Sequence, residues 1–151
     1  MNFLITGGAG FIGFNLITKV IKNISNAKII CVDDFSRNGS ELNKSKLKEL
    51  GVTLLELNAA NKDILKPKEI DYIVHLASVA SVHSGLNDDV YPLFDSNIMS
   101  TLNVLELAKK TKAKLIYISS SRIYPIDKIN NINFIESASR FLLPTRTNQI
   151  G

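Results

Sequence analysis

The chain is poor in the residues that crosslink proteins or bind metals. Its 151 residues include one cysteine, Cys31, and two histidines, His75 and His83. A single thiol excludes a disulfide framework or a thiolate cluster and suits a reducing compartment. Neither histidine has a partner at zinc-ligand spacing, so no metal site is expected. No apolar run approaches about 18 residues, so no membrane span is expected. Met1 leads straight into Asn2-Phe3-Leu4-Ile5-Thr6, with neither the basic region nor the cleavage site of a secretory signal. The net charge of +4 comes from scattered lysines, and no aromatic residues interleave with them to stack bases, which argues against nucleic acid. What remains, 45% hydrophobic and 21% charged, is the composition of a globular chain with a core, read here as cytoplasmic.

Strand-like and helix-like patterns alternate. Residues 2–6 (NFLIT) and 28–33 (KIICVD) are the short apolar runs of parallel strands covered on both faces. Between them Leu16, Val20 and Ile24 recur every four residues, as do Ile17 and Ile21, predicting a helix over 11–25. A polar segment at 40–50 stops at Gly51, and strands are expected at 52–57, 71–76 and 114–119, with a turn near 61–68. Residues 97–112 predict an amphipathic helix with Ile98, Leu102 and Leu105 on one face. This alternation specifies an α/β fold, a Rossmann-type doubly wound parallel sheet with strand order 3-2-1-4-5. From Ile123 to Gly151 the periodicity fails. The expected organisation is a dinucleotide-binding domain over 1–122 and an irregular tail over 123–151, truncated before the last strands and a C-terminal substrate domain.

The strongest motif is Thr6-Gly7-Gly8-Ala9-Gly10-Phe11-Ile12-Gly13. Gly7, Gly10 and Gly13 follow a strand and open a helix, the context that distinguishes a dinucleotide fingerprint from a chance glycine run. One glycine permits the tight turn, one lets the backbone approach a pyrophosphate, and one lets the helix lie close to the sheet. Asp33 stands at the tip of the second strand, where a carboxylate accepts hydrogen bonds from ribose hydroxyls. It would also repel a 2′-phosphate, since two charges about 4 Å apart cost on the order of 4 kcal/mol at intermediate dielectric. NAD is therefore favoured over NADP, with Arg37 nearby to soften the preference.

In order, TGGAGFIG, VDDFSRNGS, HLAS and SSSRIY resemble the NAD-dependent epimerase/dehydratase family, the extended short-chain dehydrogenases that act mostly on nucleotide sugars. The run Asp33-Asp34-Phe35-Ser36-Arg37 and the tail around Phe134-Ile135-Glu136 look most like the CDP-paratose/tyvelose epimerase branch. The resemblance covers about half of a typical family member. It places Phe11 and Ile12 beside the pyrophosphate, Asp33 on the ribose, and Leu76, Ala77 and Ser78 along the cofactor, with Asp34 and Ser119 also among the cofactor-binding residues. It adds Asn97 before the long helix, and makes Ser120 the catalytic hydroxyl that holds the sugar oxygen, flanked by Ser119 and Ser121. The implied chemistry is transient hydride transfer to NAD. The oligomeric state stays open, with the 97–112 helix lying where family members often pair as dimers.

Two positions depart from the family pattern. The acid that reads the adenine amino group is replaced by Asn58, whose amide oxygen can still accept that hydrogen bond; Asp63 is the rival assignment. The catalytic Tyr-x-x-x-Lys pair has one literal match, Tyr124 to Lys128, but Pro125 disfavours a helical Tyr124 and the spacing from Ser120 is too short. The expectation is the cofactor part of a nucleotide-sugar epimerase, inactive alone. Against it stand a non-enzymatic NAD-binding module, a subunit completed by another polypeptide, or part of a dehydratase or reductase. Ser121 and Arg122 occupy the slots where dehydratases carry an Asp-Glu pair. His75 and Cys31 are expected to be packed core residues.

Overall fold

The computed structural model describes residues 1–79, 89–119 and 126–142, with the backbone alone for 128 and 129. The chain divides into two units, Met1–Ile118 and Ser119–Gly151.

In the first unit, β1 (Asn2–Thr6), β2 (Lys28–Asp33), β3 (Thr53–Glu56), β4 (Tyr72–His75) and β5 (Lys114–Tyr117) form one parallel sheet in the order β3-β2-β1-β4-β5. Thr6 at the end of β1 stands in register with Val32 on one side and His75 on the other. The carboxyl ends of the central strands therefore open together, at the reversal of strand order where open α/β sheets bind ligands.

The central strands β1, β2 and β4 are buried on both faces, which is why they read as unbroken apolar runs. Phe3, Ile5, Ile29, Cys31 and Val74 pack with Ile17 of α1 (Phe11–Asn23) and Leu47 of α2 (Lys44–Glu49). Leu4, Val32 and Ile73 pack on the other face with Ile64 and with Val104 and Leu107 of the long helix. Cys31 is buried, and burial pushes its thiol pKa up to about 12.

The long helix differs from expectation at both its start and its faces. Helical backbone begins at α3 (Tyr91–Phe94), passes through a π turn over Asp95–Met99, and continues as α4 (Ser100–Thr111). At this earlier start Asp89 Oδ1 accepts from Tyr91 N at 3.0 Å, and Pro92 sits in the first turn. Its core face is Ser100, Asn103, Val104 and Leu107, whereas Ile98, Leu102 and Leu105 remain 47%, 48% and 49% exposed. Asn103 belongs to the core because its amide donates to Ala59 O and Ala60 O, at 3.0 and 2.8 Å.

The second unit contains, among the described residues, α5 (Ile126–Asn130) and an antiparallel hairpin of β6 (Ile135–Glu136) and β7 (Phe141–Leu142). Phe134 and Phe141 meet edge-on, 4.9 Å between centroids, and Ser137 Oγ donates to Arg140 O across the turn. Two-residue strands carry too few positions for a period to show, so the sequence presents this stretch as irregular. No helix among the described residues is long and apolar enough to cross a membrane.

Candidate functional site

The turn between β1 and α1 leaves no room for a Cβ at Gly7, Gly8 or Gly13; at Gly8 it would lie 2.5 Å from Cys31 Sγ. Gly7 has φ +66°, and a Cβ there would lie 2.9 Å from Ala77 N. A Cβ on Gly13 would fall 2.3 Å from Gly7 O and 2.6 Å from Gly8 Cα, so this glycine lets α1 lie against the loop. Gly10 caps α1 with extended backbone, φ −69° and ψ 172°, no side chain caps the helix, and its first turn holds no acid. The leading N–H groups of α1 are thus left for an anion, and the helix dipole favours one there. The side chains of Phe11 and Ile12 are exposed, so what these residues offer an anion is backbone N–H.

Asp33 ties the loop to β2. Its Oδ2 accepts from Ala9 N and its Oδ1 from Phe35 N, both at 2.9 Å. Each carboxylate oxygen keeps a lone pair free for a hydroxyl donor. Asn43 braces the loop from the opposite side, donating to Ala9 O at 2.9 Å.

Asp34 and Asn58 meet beside it. Asn58 Nδ2 donates to Asp34 Oδ2 at 2.8 Å while its Oδ1 accepts from Ala60 N at 2.9 Å. Burial raises the Asp34 carboxyl, but the hydrogen bonds from Ser36 and Asn58 outweigh it and hold the pKa below the ordinary value. Asp63, the rival to Asn58, sits in the 3-10 turn Lys62–Leu65 and pairs with Lys66 at 2.8 Å instead.

These groups open onto a cleft of about 330 Å³, within the range of small-ligand sites. Gly7, Gly10, Asp33, Asp34, Asn58, Leu76, Ala77 and Ser78 all line it, brought together from four separate segments. Asn97 does not line it. It acts through its neighbour, with Oδ1 accepting from Val79 N at 2.8 Å, and Val79 lines the cleft. Sequence reasoning missed Ser36, Ser40, Val79 and Ser96 of the lining, because isolated serines and valines carry no spacing signal. Arg37 lines the cleft beside Asp34. Ser119 is exposed and belongs to the second unit. Ser120, Ser121, Arg122, Tyr124 and His83 lie outside the described residues.

A 3-2-1-4-5 parallel sheet, a three-glycine turn into a helix, and an acid at the tip of the second strand define a Rossmann-type dinucleotide-binding domain. The particular lineage follows from comparison with known proteins. The model of the NAD dependent epimerase/dehydratase family matches residues 3–147, and the chain belongs to that family. It is 33% identical to a dTDP-D-glucose 4,6-dehydratase of Dictyostelium discoideum, over 94% of this chain and 36% of that protein. It is 36% identical to UDP-glucuronic acid decarboxylase 6 of Arabidopsis thaliana, over 82% of this chain and 35% of that one. Among solved structures it resembles a point mutant of the UDP-glucuronic acid 4-epimerase of Bacillus cereus, in complex with a fluorinated UDP-sugar and NAD. That match has a TM-score of 0.71 and 32% identity, and covers 82% of this chain and 41% of that one. The chain thus spans well under half the length of these relatives.

Proposed function

We propose that these 151 residues form the NAD-binding part of a nucleotide-sugar epimerase and do not turn over a sugar by themselves. The observation that carries the reading is the junction of Asp33 with the glycine-rich turn. One carboxylate is hydrogen-bonded to the loop that receives a pyrophosphate and lies on the cleft that would receive the ribose. The cradle fits the group: α1 begins at Gly10 with no capping side chain and no acid in its first turn, and Gly7, Gly10 and Asp33 line the same cleft. Bound NAD would supply reversible hydride acceptance. The chain would supply the anion-facing N–H groups of α1, the Asp33 carboxylate for the ribose hydroxyls, and Asn58 toward the adenine. Ser120 would hold the reacting sugar oxygen and steady its developing charge.

Titration calorimetry with NAD, NADP and a UDP-sugar tests this. NAD should bind, NADP should bind at least about tenfold more weakly through repulsion by Asp33, and no sugar should be converted. Equal affinity for the two dinucleotides would remove Asp33 from the ribose, and no dinucleotide binding would end the reading.

The relatives include epimerases, a dehydratase and decarboxylases, all named for nucleotide sugars, which supports the substrate class more firmly than the epimerase branch. A second reading, a subunit completed by another polypeptide, is supported by the exposed Tyr91, Phe94, Ile98, Leu102 and Leu105 along α3 and α4. The same stripe supports pairing of two copies as a homodimer. The buried lone thiol fits a cytoplasmic setting.

A further inference from the structure

The carboxyl end of β1 is joined to that of β4 by side-chain chemistry as well as by the ladder. Thr6 Oγ1 accepts from Leu76 N at 3.1 Å and from Ala77 N at 3.2 Å, and Leu76 N is shared with the Thr6 carbonyl. The same Oγ1 lies 2.7 Å from His75 Nδ1. A threonine hydroxyl has two lone pairs and one hydrogen. With both lone pairs facing backbone N–H groups, the hydrogen has one remaining partner, the bare Nδ1 of His75. The histidine is then neutral and carries its proton on Nε2, which faces Ser100 Oγ at 3.4 Å.

We propose that Thr6 and His75 form a proton-sensitive lock that holds the cofactor-facing backbone of Leu76 and Ala77 against the glycine-rich turn, and that uptake of a proton by His75 opens it. Protonating Nδ1 would put two hydrogens into a 2.7 Å contact, and the hydroxyl has nowhere else to turn. The consequence reaches the cleft directly. Gly7 sits so close to Ala77 N that no Cβ fits between them, and Leu76 and Ala77 line the site.

Among the described residues, the groups recorded against the ring from the elements packed on it are neutral: Thr6 of β1, Ser100 of α4, and Tyr117 of β5, whose ring is tilted 45° at 5.2 Å. Among the described residues His75 joins no ion pair. It is 3% exposed, and burial holds its pKa below the ordinary imidazole value. His75 is thus a positioning residue acting through Thr6.

This rests on the NAD-binding reading, and its test separates the two. Long-range 1H–15N spectra of the full 151-residue chain at pH 7.5 should show His75 protonated on Nε2 with Nδ1 bare. On acidification, NAD affinity should fall about tenfold per pH unit once His75 takes up its proton. The amide protection of Leu76 and Ala77 should be lost over the same range. His75→Asn, whose amide oxygen can accept from Thr6 but does not titrate, should keep affinity at pH 7.5 and lack that step. A proton on Nδ1, an ordinary imidazole titration, or parallel pH profiles in the two proteins would overturn the lock. If His75→Asn does not fold, the tautomer and the amide protection of the unaltered chain still decide. Failure to bind NAD at any pH would instead sink the function reading, leaving the tautomer and the two amides to judge the lock.

Discussion

Two glycines of one loop do different work, and substitution separates them. Gly13 is packed against backbone that cannot yield, with Gly7 O 2.3 Å and Gly8 Cα 2.6 Å from where a methyl would go. Gly13→Ala should therefore destabilise the fold by about 1–3 kcal/mol, the usual range for overpacking, and lower the thermal midpoint as well as NAD affinity. Gly10 has ordinary extended dihedrals, and its nearest obstacle to a methyl, Gly7 O, is 3.3 Å away. Gly10→Ala should leave the melting temperature within a degree or two (~0.5 kcal/mol) while weakening NAD binding, because its Cβ would stand at the anion. Matching losses of stability in the two variants would refute the division of labour. Asp33→Asn makes a third case. Asn offers one acceptor oxygen where the carboxylate uses two, so either Ala9 N or Phe35 N loses its partner, at about 1–3 kcal/mol in chemical denaturation.

At the scale of elements, the long helix shows what sequence patterns report and what they omit. The heptad-like recurrence of Ile98, Leu102 and Leu105 marks a real apolar stripe, yet the buried face is Val104 and Leu107 preceded by polar Ser100 and Asn103. Hydrophobic periodicity finds a face without saying which neighbour covers it. Asn103 and Ser100 were illegible because their burial depends on carbonyls and a ring supplied by distant segments. The strands, by contrast, were legible in place and order, since each reads as a short apolar run bounded by turn signals, whether central and buried or at an exposed edge. Two substitutions should divide the helix. Leu107→Ala, at a fully buried position, should cost about 2–5 kcal/mol in urea unfolding. Leu102→Glu should stay within about 0.5 kcal/mol. If two copies pair through the stripe, Leu102→Glu should halve the mass seen by light scattering; if wild type and variant are both monomers, the homodimer reading fails.

For the whole molecule, the legible part is what one parallel sheet dictates: the five strands, the glycine-rich turn, and the convergence of Asp33, Asn58 and Leu76–Ser78 on one cleft. Each of these is fixed by local chemistry at a strand end. The second unit was not legible, because its short strands and loops draw their conformation from contacts rather than from period. Among the described residues the sheet ends at β5, where Ile116, Tyr117 and Ile118 remain about half exposed, although strands of such composition are ordinarily covered on both faces. Contiguous apolar surface at a sheet edge is a site of association. The 151-residue chain should therefore bind a hydrophobic dye in its native state and sediment faster as concentration rises. Replacing Ile116 and Ile118 together with lysine should abolish both effects, while NAD, at a hundredfold excess over its Kd, should still stabilise the variant by about 2.7 kcal/mol. Dye binding that survives the double substitution would move the exposed surface elsewhere, with the stripe on α3 and α4 next in line. Loss of NAD stabilisation in the variant would mean that β5 supports the cleft as well as closing the sheet. Independence of the two readouts is expected because the lysines fall on β5 and the residue just past it, whereas the cleft is lined from the ends of β1, β2, β3 and β4, the segments that follow them, and Pro92 and Ser96 at the start of the long helix.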